Sequence, residues 1–344
     1  MRKIIVAPLN WGLGHASRCV PIIKALQEEH FTPVIASDGK ALEFLQKEFP
    51  ELETIKLPSY QISYGKHLKW NLLKKGPAIL KAARKEGEII HQYLEENKGI
   101  VGIISDNRFG VCSSKVPSVY ITHQINVHSG IFTPITSYFH QKIIKKFDEC
   151  WIPDEKDSKF SGRLSRSQKK LNQKYIGVLS RFQKKELEKN NDILIILSGP
   201  EPNRSQLESK LITLFLEASK KIILVQGKVE LSQTKKQQGS LTIVNYMLSD
   251  ELEKTISSSE MVICRSGYSS IMDLITLNKK AILIPTKGQN EQEYLAQYLN
   301  QQEYFSFVNE DDITVQELEK PKELKGEIKE KKLDKNLFSL FQSE

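Results

Sequence analysis

Residues 262–298 read VICRSGYSSIMDLITLNKKAILIPTKGQNEQEYLAQY, and the spacing of their apolar residues decides the fold. The short run Met261 to Cys264 is of the kind that a strand buried on both faces of a parallel sheet shows. Arg265, Ser266 and Gly267 break it. Ile271, Leu274, Ile275 and Leu277 then recur at helical spacing, with Asp273 on the opposite face. A second apolar run, Ala281 to Ile284, stops at Pro285. The polar loop TKGQNEQ leads into another helix from about Glu291. Strand, turn, helix, strand, turn and helix make a βαβα unit of a parallel sheet. Open parallel sheets bind ligands at the carboxyl ends of their strands, where both turns lie. Ser266 and Gly267 would offer backbone N–H groups to an anion at a helix start. Asp273, Gln289, Asn290 and Gln292 carry groups that hydrogen-bond sugar hydroxyls. The same letters also suit an ordinary α/β turn with capping residues.

Working outward, the plan repeats. Lys3 to Pro8 reads as a strand, followed by the loop NWGLGHASR and a helix from about Ala16 to Glu29. Gly12 and Gly14 permit a tight turn and close approach of backbone to a ligand. The third glycine of a dinucleotide fingerprint is absent. His15 stands where the helix begins. Val34–Ser37, Val101–Ser105 and Val119–Thr122 read as strands, and Ala41–Phe49 as a helix. Asp106 stands at the carboxyl end of the second of these strands, where it caps a loop, orients or assists His15, or receives a proton itself. FDECWIPD, Phe147 to Asp154, reads as the last strand of a first domain, and Glu155 to Lys174 as a polar connection. Asp192–Leu197 opens a second domain and leads through SGPEPNR into a helix. Ser198 and Gly199 have the form of a phosphate cradle, although Pro200 and Pro202 each remove a donor. Ile222–Gln226 and Leu241–Asn245 are further strands, with a helix at Glu251–Ser258. Ser59 to Leu94 is basic at first, with Trp70, Leu72 and Leu73, and then helical. It suits a membrane surface or, as Gly76-Pro77 favours by breaking the pattern, a solvated helix packed on the first sheet.

The second half resembles the donor-binding half of GT-B glycosyltransferases, and most closely glycosyltransferase family 28, of the lipid-II-forming UDP-N-acetylglucosaminyltransferase type. The resemblance implies two Rossmann-like α/β domains facing a cleft, an acceptor domain at 1–176 and a nucleotide-sugar domain at 177–320, with a helix at 335–344 returning to the first. It places Asp273 on the ribose hydroxyls of a uridine nucleotide. Arg265, Ser266 and Gly267 match the family's CRSG. Gln292 matches the first of two glutamines that touch the donor sugar, and Glu293 replaces the second. Gly177 to Arg181 matches a junction segment whose arginine approaches the diphosphate, so Arg181 is the candidate there and a surface arginine otherwise. HQINVHSG resembles an acceptor-side segment, with His123 and Asn126 in matching places and Gln124 where the family has Glu. Related transferases end their first loop in His, which makes Gly14 and His15 candidates for donor contact and for the base. The form from Gly12 to Arg18 also resembles a nucleotide-sugar hydrolase of the superfamily.

Composition sets limits. The chain has 344 residues, room for two cored domains. Its four cysteines, Cys19, Cys112, Cys150 and Cys264, form no CxxC pair, so free buried thiols in a reducing cytosol are expected. No apolar run approaches the ~20 residues of a membrane helix, and the start reads as a strand, not a signal peptide. The net charge of +8 comes without an aromatic-interleaved basic platform, so no nucleic-acid partner is expected. Solvated lysine faces account for most of it. Attraction to phosphorylated substrates or to anionic lipid on the inner face of the plasma membrane is the functional alternative. No DxD motif is present, and no metal or other cofactor is expected. The resemblance implies an inverting transfer from a UDP-sugar to a glycan or lipid-linked acceptor, expected to be metal-independent. A nucleotide-sugar hydrolase, an epimerase or a non-catalytic nucleotide-sugar-binding protein are the alternatives.

Overall fold

The computed structural model describes residues 2–60, 68–166, 171–324 and 333–342. The early basic part of the Ser59–Leu94 stretch, the side chains of Trp70, Leu72 and Leu73, and most of the Lys/Glu-rich tail lie outside the described residues. The chain divides into two compact units, one of residues 1–179 with 331–344 and the other of residues 180–330.

The first unit carries strands β1 (Lys3–Pro8), β2 (Thr32–Ser37), β3 (Thr54–Lys56), β4 (Ile100–Asp106), β5 (Ser118–Ile121), β6 (Glu149–Ile152) and β7 (Gln173–Tyr175). Its helices are α1 (Gly14–Glu28), α2 (Gly39–Glu48), α3 (Leu68–Glu96) and α4 (Thr133–Ile144). The strands form one parallel sheet in the order β3-β2-β1-β4-β5-β6-β7. Ile4, Ile5, Val6 and Ala7 are wholly buried, because strands covered on both faces have no polar side to show. α1 sets Ala16, Cys19, Val20, Ile23 and Leu26 into the core at helical spacing.

One expectation fails here. FDECWIPD does not hold the last strand, since Gln173–Tyr175 pairs in parallel beyond it, Trp151 opposite Lys174. Gly76-Pro77 lies inside α3, which runs through Pro77 to Glu96.

The last described residues belong to this unit. A 3₁₀ segment, Lys335–Phe341, brings the Phe338 and Phe341 rings to 6.1 Å and 6.2 Å from the Trp151 ring, edge to face. A Cβ at Gly102 would overlap the Phe341 ring, so the glycine is what lets the ring reach strand β4. Phe341→Ala is expected to destabilise the first unit by about 3 kcal/mol, read as a lower urea midpoint.

The second unit carries β8 (Asn191–Ile196), β9 (Ile222–Val225), β10 (Lys235–Gln238), β11 (Leu241–Val244), β12 (Ser259–Cys264), β13 (Ala281–Leu283) and β14 (Ser306–Phe307). Its helices are α5 (Asn203–Phe215), α6 (Ser249–Ser257), α7 (Tyr268–Thr276) and α8 (Asn290–Gln301). The sheet order is β10-β11-β9-β8-β12-β13-β14, parallel except for the antiparallel edge pair β10–β11. Strands run outward in both directions from β8, as they do from β1 in the first sheet. Each sheet thus has one point where the order reverses, between β1 and β4 and between β8 and β12. Loops that leave the carboxyl ends there diverge and open a crevice.

Candidate active site

In the first unit, the reversal brings Pro8 opposite Asp106, so the loop after β1 stands beside the end of β4. Gly12, at φ +74°, turns that loop into α1. His15 then sits in the first turn of α1 with its side chain 15% exposed. Its Nδ1 lies 2.8 Å from Oδ1 of the buried Asp106. Arg18 comes three residues after His15 on the same helix face. Its Nε donates to Asp106 Oδ2 at 2.5 Å, and Nη2 also bonds the carboxylate. Arg18 Nη1 lies 3.0 Å from Nδ1 of the buried His123.

Burial alone would push the Asp106 carboxyl up, but the Arg18 guanidinium and His15 outweigh it and hold it well below the usual carboxylate range. Asp106 is therefore an ionised acceptor. Arg18 Nη2 stands 2.8 Å from His15 Nδ1 and also reaches the carboxylate. An ionised carboxylate has no proton to give, so a hydrogen bond between it and His15 takes the tautomer with hydrogen on Nδ1, with Arg18 Nη2 then donating to Asp106 and not to the ring. Nε2 then keeps its lone pair. Of the roles open to Asp106 in the sequence, orienting His15 is the one this geometry serves.

The same charge fixes the direction of a longer chain of bonds. Asn107 Nδ2 donates to Asp106 Oδ1 at 3.1 Å, so its Oδ1 faces away and accepts from the Tyr120 hydroxyl at 3.0 Å. With its hydrogen spent, Tyr120 accepts from His140 Nε2, 3.0 Å away. His140 is buried and pushed down to about 4, so it is neutral and can hold its one hydrogen on that nitrogen. Asn107 sits at φ +59°, a left-handed conformation that asparagine tolerates better than most residues.

Asn126 points elsewhere. Its Nδ2 donates to the Arg163 carbonyl at 3.0 Å, and it lines a cavity of about 640 Å³ with His128, Tyr138, Gln141 and Arg163. The structure joins His15, Asp106 and His123 into one cluster and leaves Asn126 in this separate pocket.

In the second unit, the register that sets Cys264 opposite Ile196 places the two loops after β8 and β12 side by side. Gly199 takes φ +96°, and an added Cβ there would meet nothing within 4 Å. Gly267 caps α7, and its Cβ position is equally open. Neither N-cap residue, Pro202 of α5 nor Gly267 of α7, supplies a side-chain cap, but the Glu201 carboxylate accepts from Ser205 N at 3.2 Å in the first turn of α5. Ser266 is buried and donates to the Gln292 carbonyl at 2.8 Å, tying the β12 loop to α8.

Asp273 of α7 accepts from Ser180 Oγ at 2.6 Å and lies 3.9 Å from Arg181 Nε. Burial raises its carboxyl to about 6, against the opposing pull of Arg181 and Ser180. A raised acid favours folding below its unfolded value and loses that contribution as pH climbs through the folded value. Asp273→Asn is therefore expected to remove a fall in stability between about pH 4 and about pH 6, measurable from urea midpoints across that range.

Arg265 faces inward, contrary to its expected part in ligand binding. Its guanidinium is buried and donates to the carbonyls of Ile284 at 3.3 Å and Asn203 at 3.2 Å, and it pairs with Glu310. It braces the loops from within. Gln292 is also engaged, accepting from Thr286 N at 2.9 Å and donating to Gln289 Oε1 at 2.7 Å. Glu293, the departure from the family pattern, accepts from Gly288 N at 2.8 Å. Gln289 Nε2 and Thr286 Oγ1 are buried with no partner among the described residues. Burying a donor unpaired costs about 1–3 kcal/mol, which an incoming acceptor removes.

Arg18, Asn107, Tyr120 and Ser180 were not among the residues singled out for the site. Arg18 had a signal, its i+3 spacing from His15. Asn107 and Tyr120 reach the site through sheet register, and Ser180 through the loop that leads into the second sheet.

The doubly wound sheets with their two reversal-point crevices are those of the GT-B glycosyltransferases. Among solved structures, the chain is similar to MurG of Acinetobacter baumannii, with 13% identity, 92% of this chain and 88% of the other covered, and a TM-score of 0.55. It is likewise similar to a spinosyn rhamnosyltransferase, SpnG, solved with thymidine diphosphate, with 12% identity, 93% and 88% covered, and a TM-score of 0.55. The profile of the glycosyltransferase family 28 C-terminal domain matches residues 160–336, just over half of the chain. The protein belongs to that family and is a glycosyltransferase. Among curated relatives, an uncharacterized glycosyltransferase of Methanosarcina acetivorans is 24% identical over 329 residues, covering 88% of this chain and 84% of its own. The UDP-N-acetylglucosamine–N-acetylmuramyl-(pentapeptide) pyrophosphoryl-undecaprenol N-acetylglucosamine transferase of a Sulfurihydrogenibium species is 23% identical over 329 residues, covering 93% and 88%.

Proposed function

We propose that the enzyme moves a sugar from a UDP-sugar to a hydroxyl of a glycan or lipid-linked acceptor, with inversion and without a metal ion. The observation that carries this reading is the 2.8 Å contact between His15 Nδ1 and an ionised, buried Asp106. His15 Nε2 takes the acceptor proton as the acceptor oxygen bonds to the anomeric carbon. The bond from that carbon to the diphosphate breaks, and its electron pair leaves on the β-phosphate oxygen. Attack from the face opposite the leaving group inverts the centre. The developing charge is met by backbone N–H groups around Ser198, Gly199, Ser266 and Gly267 and by Arg181, groups fixed before the reaction starts. Asp273 holds the ribose hydroxyls, while Gln289 and Gln292 with Thr286 meet the sugar. The relative from Sulfurihydrogenibium, named for a UDP-N-acetylglucosamine donor and a lipid-linked acceptor, supports the donor and acceptor classes.

A lipid-linked acceptor would bring the enzyme to the inner face of the plasma membrane. Among the described residues, no helix is long and apolar enough to cross one. Ile135, Tyr138 and Phe139 of α4 are exposed beside the pocket that holds Arg163 and Arg166, and this face suits peripheral contact with anionic lipid.

The test is a panel of nucleotides and UDP-sugars followed by thermal shift and product analysis. A bound donor at 100 times its dissociation constant adds about 2.7 kcal/mol. A UDP-sugar should raise the melting temperature in the wild type and much less in Asp273→Ala. The Gly12–Arg18 form also fits a hydrolase. Free sugar released as fast without acceptor as product forms with it would replace transfer by hydrolysis.

A further inference from the structure

The second unit has another cavity, of about 300 Å³, at the opposite edge of its sheet. It is bounded by the segment 184–189, the end of α6 and the Asn278–Lys280 turn, all at the amino ends of β8, β12 and β13. The donor loops leave the carboxyl ends of those strands, about 20 Å away along a six-residue strand. Lys184, Lys185, Lys189, Lys279 and Lys280 line it, against two carboxylates, Glu186 and Glu260. Two of the lysines also reach outward to acids, Lys185 to Glu253 and Lys280 to Glu323.

The centre of the cluster is Lys279, which is buried. Its Nζ donates to the Ser259 carbonyl, and Lys189 Nζ donates to the Ser257 carbonyl at 2.6 Å. Two ammonium groups thus converge where α6 ends and β12 begins. The carbonyl end of α6 carries partial negative charge, but only about half an elementary charge. Burial, and then the neighbouring Lys189, push Lys279 down to about 7, with Lys280 adding to the fall and Glu260 opposing it. Like charges gathered in a half-enclosed cavity are costly unless an anion joins them. The described lining has no aromatic ring on which a base could stack and no arginine fork, only Leu187 and Leu277 beside the polar groups. A compact, multiply charged oxyanion fits this chemistry; a nucleotide does not.

We propose that this lysine-lined cleft is a second anion site, separate from the donor loops, that binds a phosphate or diphosphate group. Such a group comes either free in solution or as the headgroup of an anionic lipid. Titration of the full-length protein with inorganic phosphate and pyrophosphate, followed by calorimetry, tests it. Saturable binding is expected, weakened about tenfold or more in both Lys189→Met and Lys279→Met, since each removes a charge-assisted contact. Lys189 is exposed and methionine fills the space of the buried Lys279, so both variants are expected to fold, which melting curves check. At pH 8 Lys279 is largely neutral, and an anion favours its charged form. Binding should then take up a fraction of a proton, seen as a dependence of the heat on buffer ionisation enthalpy, and Lys279→Met should abolish it. In parallel, sedimentation with anionic and with neutral phospholipid vesicles separates the sources. Lysine-dependent binding to anionic vesicles alone assigns the site to a lipid headgroup. No saturable binding in either arm, or binding that both variants leave unchanged, overturns the proposal.

Discussion

Replacing His15 with glutamine should lower kcat by roughly 10²–10⁴-fold while leaving donor binding in place. Glutamine at this partly exposed helix start fills similar space and can still donate to Asp106. Arg18 continues to hold that carboxylate through Nε and Nη2, so the fold is not at risk. What disappears is the imidazole lone pair that the Asp106 bond leaves on Nε2. KM for the UDP-sugar, assigned to the other unit, should move little. A variant that keeps its wild-type rate across donors and acceptors would remove His15 from the reaction, and with it the reading of this enzyme as base-catalysed.

The second large effect concerns stability. Arg18→Met leaves Asp106 ionised and buried with only His15, Asn107 and the Cys19 thiol about it. Breaking a buried ion pair in this way costs about 3–5 kcal/mol. The sign of its pH dependence is fixed by Asp106. In the wild type, Arg18 and His15 overcome burial and lower its pKa. The carboxylate therefore stabilises the fold above its unfolded value, and this contribution is lost as pH falls through the folded value. In the variant, burial acts with less opposition and acidification relieves the unpaired charge. The gap between variant and wild-type urea midpoints should be wide at pH 7 and narrow toward pH 4. Arg18→Met/Asp106→Asn should recover much of the loss at neutral pH. A gap of constant width would mean that Arg18 acts through packing alone.

How much of this was legible in the sequence depends on where each residue sits. The central strands β1, β8 and β12 were, because burial on both faces writes itself as an unbroken apolar run. The edge strands β7, β10 and β14 were not. Gln173–Tyr175 and Lys235–Gln238 are polar, and their pairing on one side, not their composition, makes them strands. The site was half visible. His15 and Asp273 stood out by motif and spacing, and the glycine loops by composition. Arg265 matched a motif letter, but a letter does not say which way a side chain points. Asp106 lies 91 residues from His15, and only the register of β1 on β4 brings the two together. Asn107 and Tyr120 are reached the same way.

The packing of Phe338 and Phe341 on Trp151 and Gly102 bears on how the molecule can be taken apart. The first unit is discontinuous along the chain, so a fragment that stops at Leu179 leaves the floor beneath those two rings bare. Such a piece is expected to clump until a short synthetic peptide spanning residues 333–344 is added in trans. A purification handle fused after residue 344 would hang beside that same floor. For biochemical work on this enzyme, the amino terminus is the safer place for it.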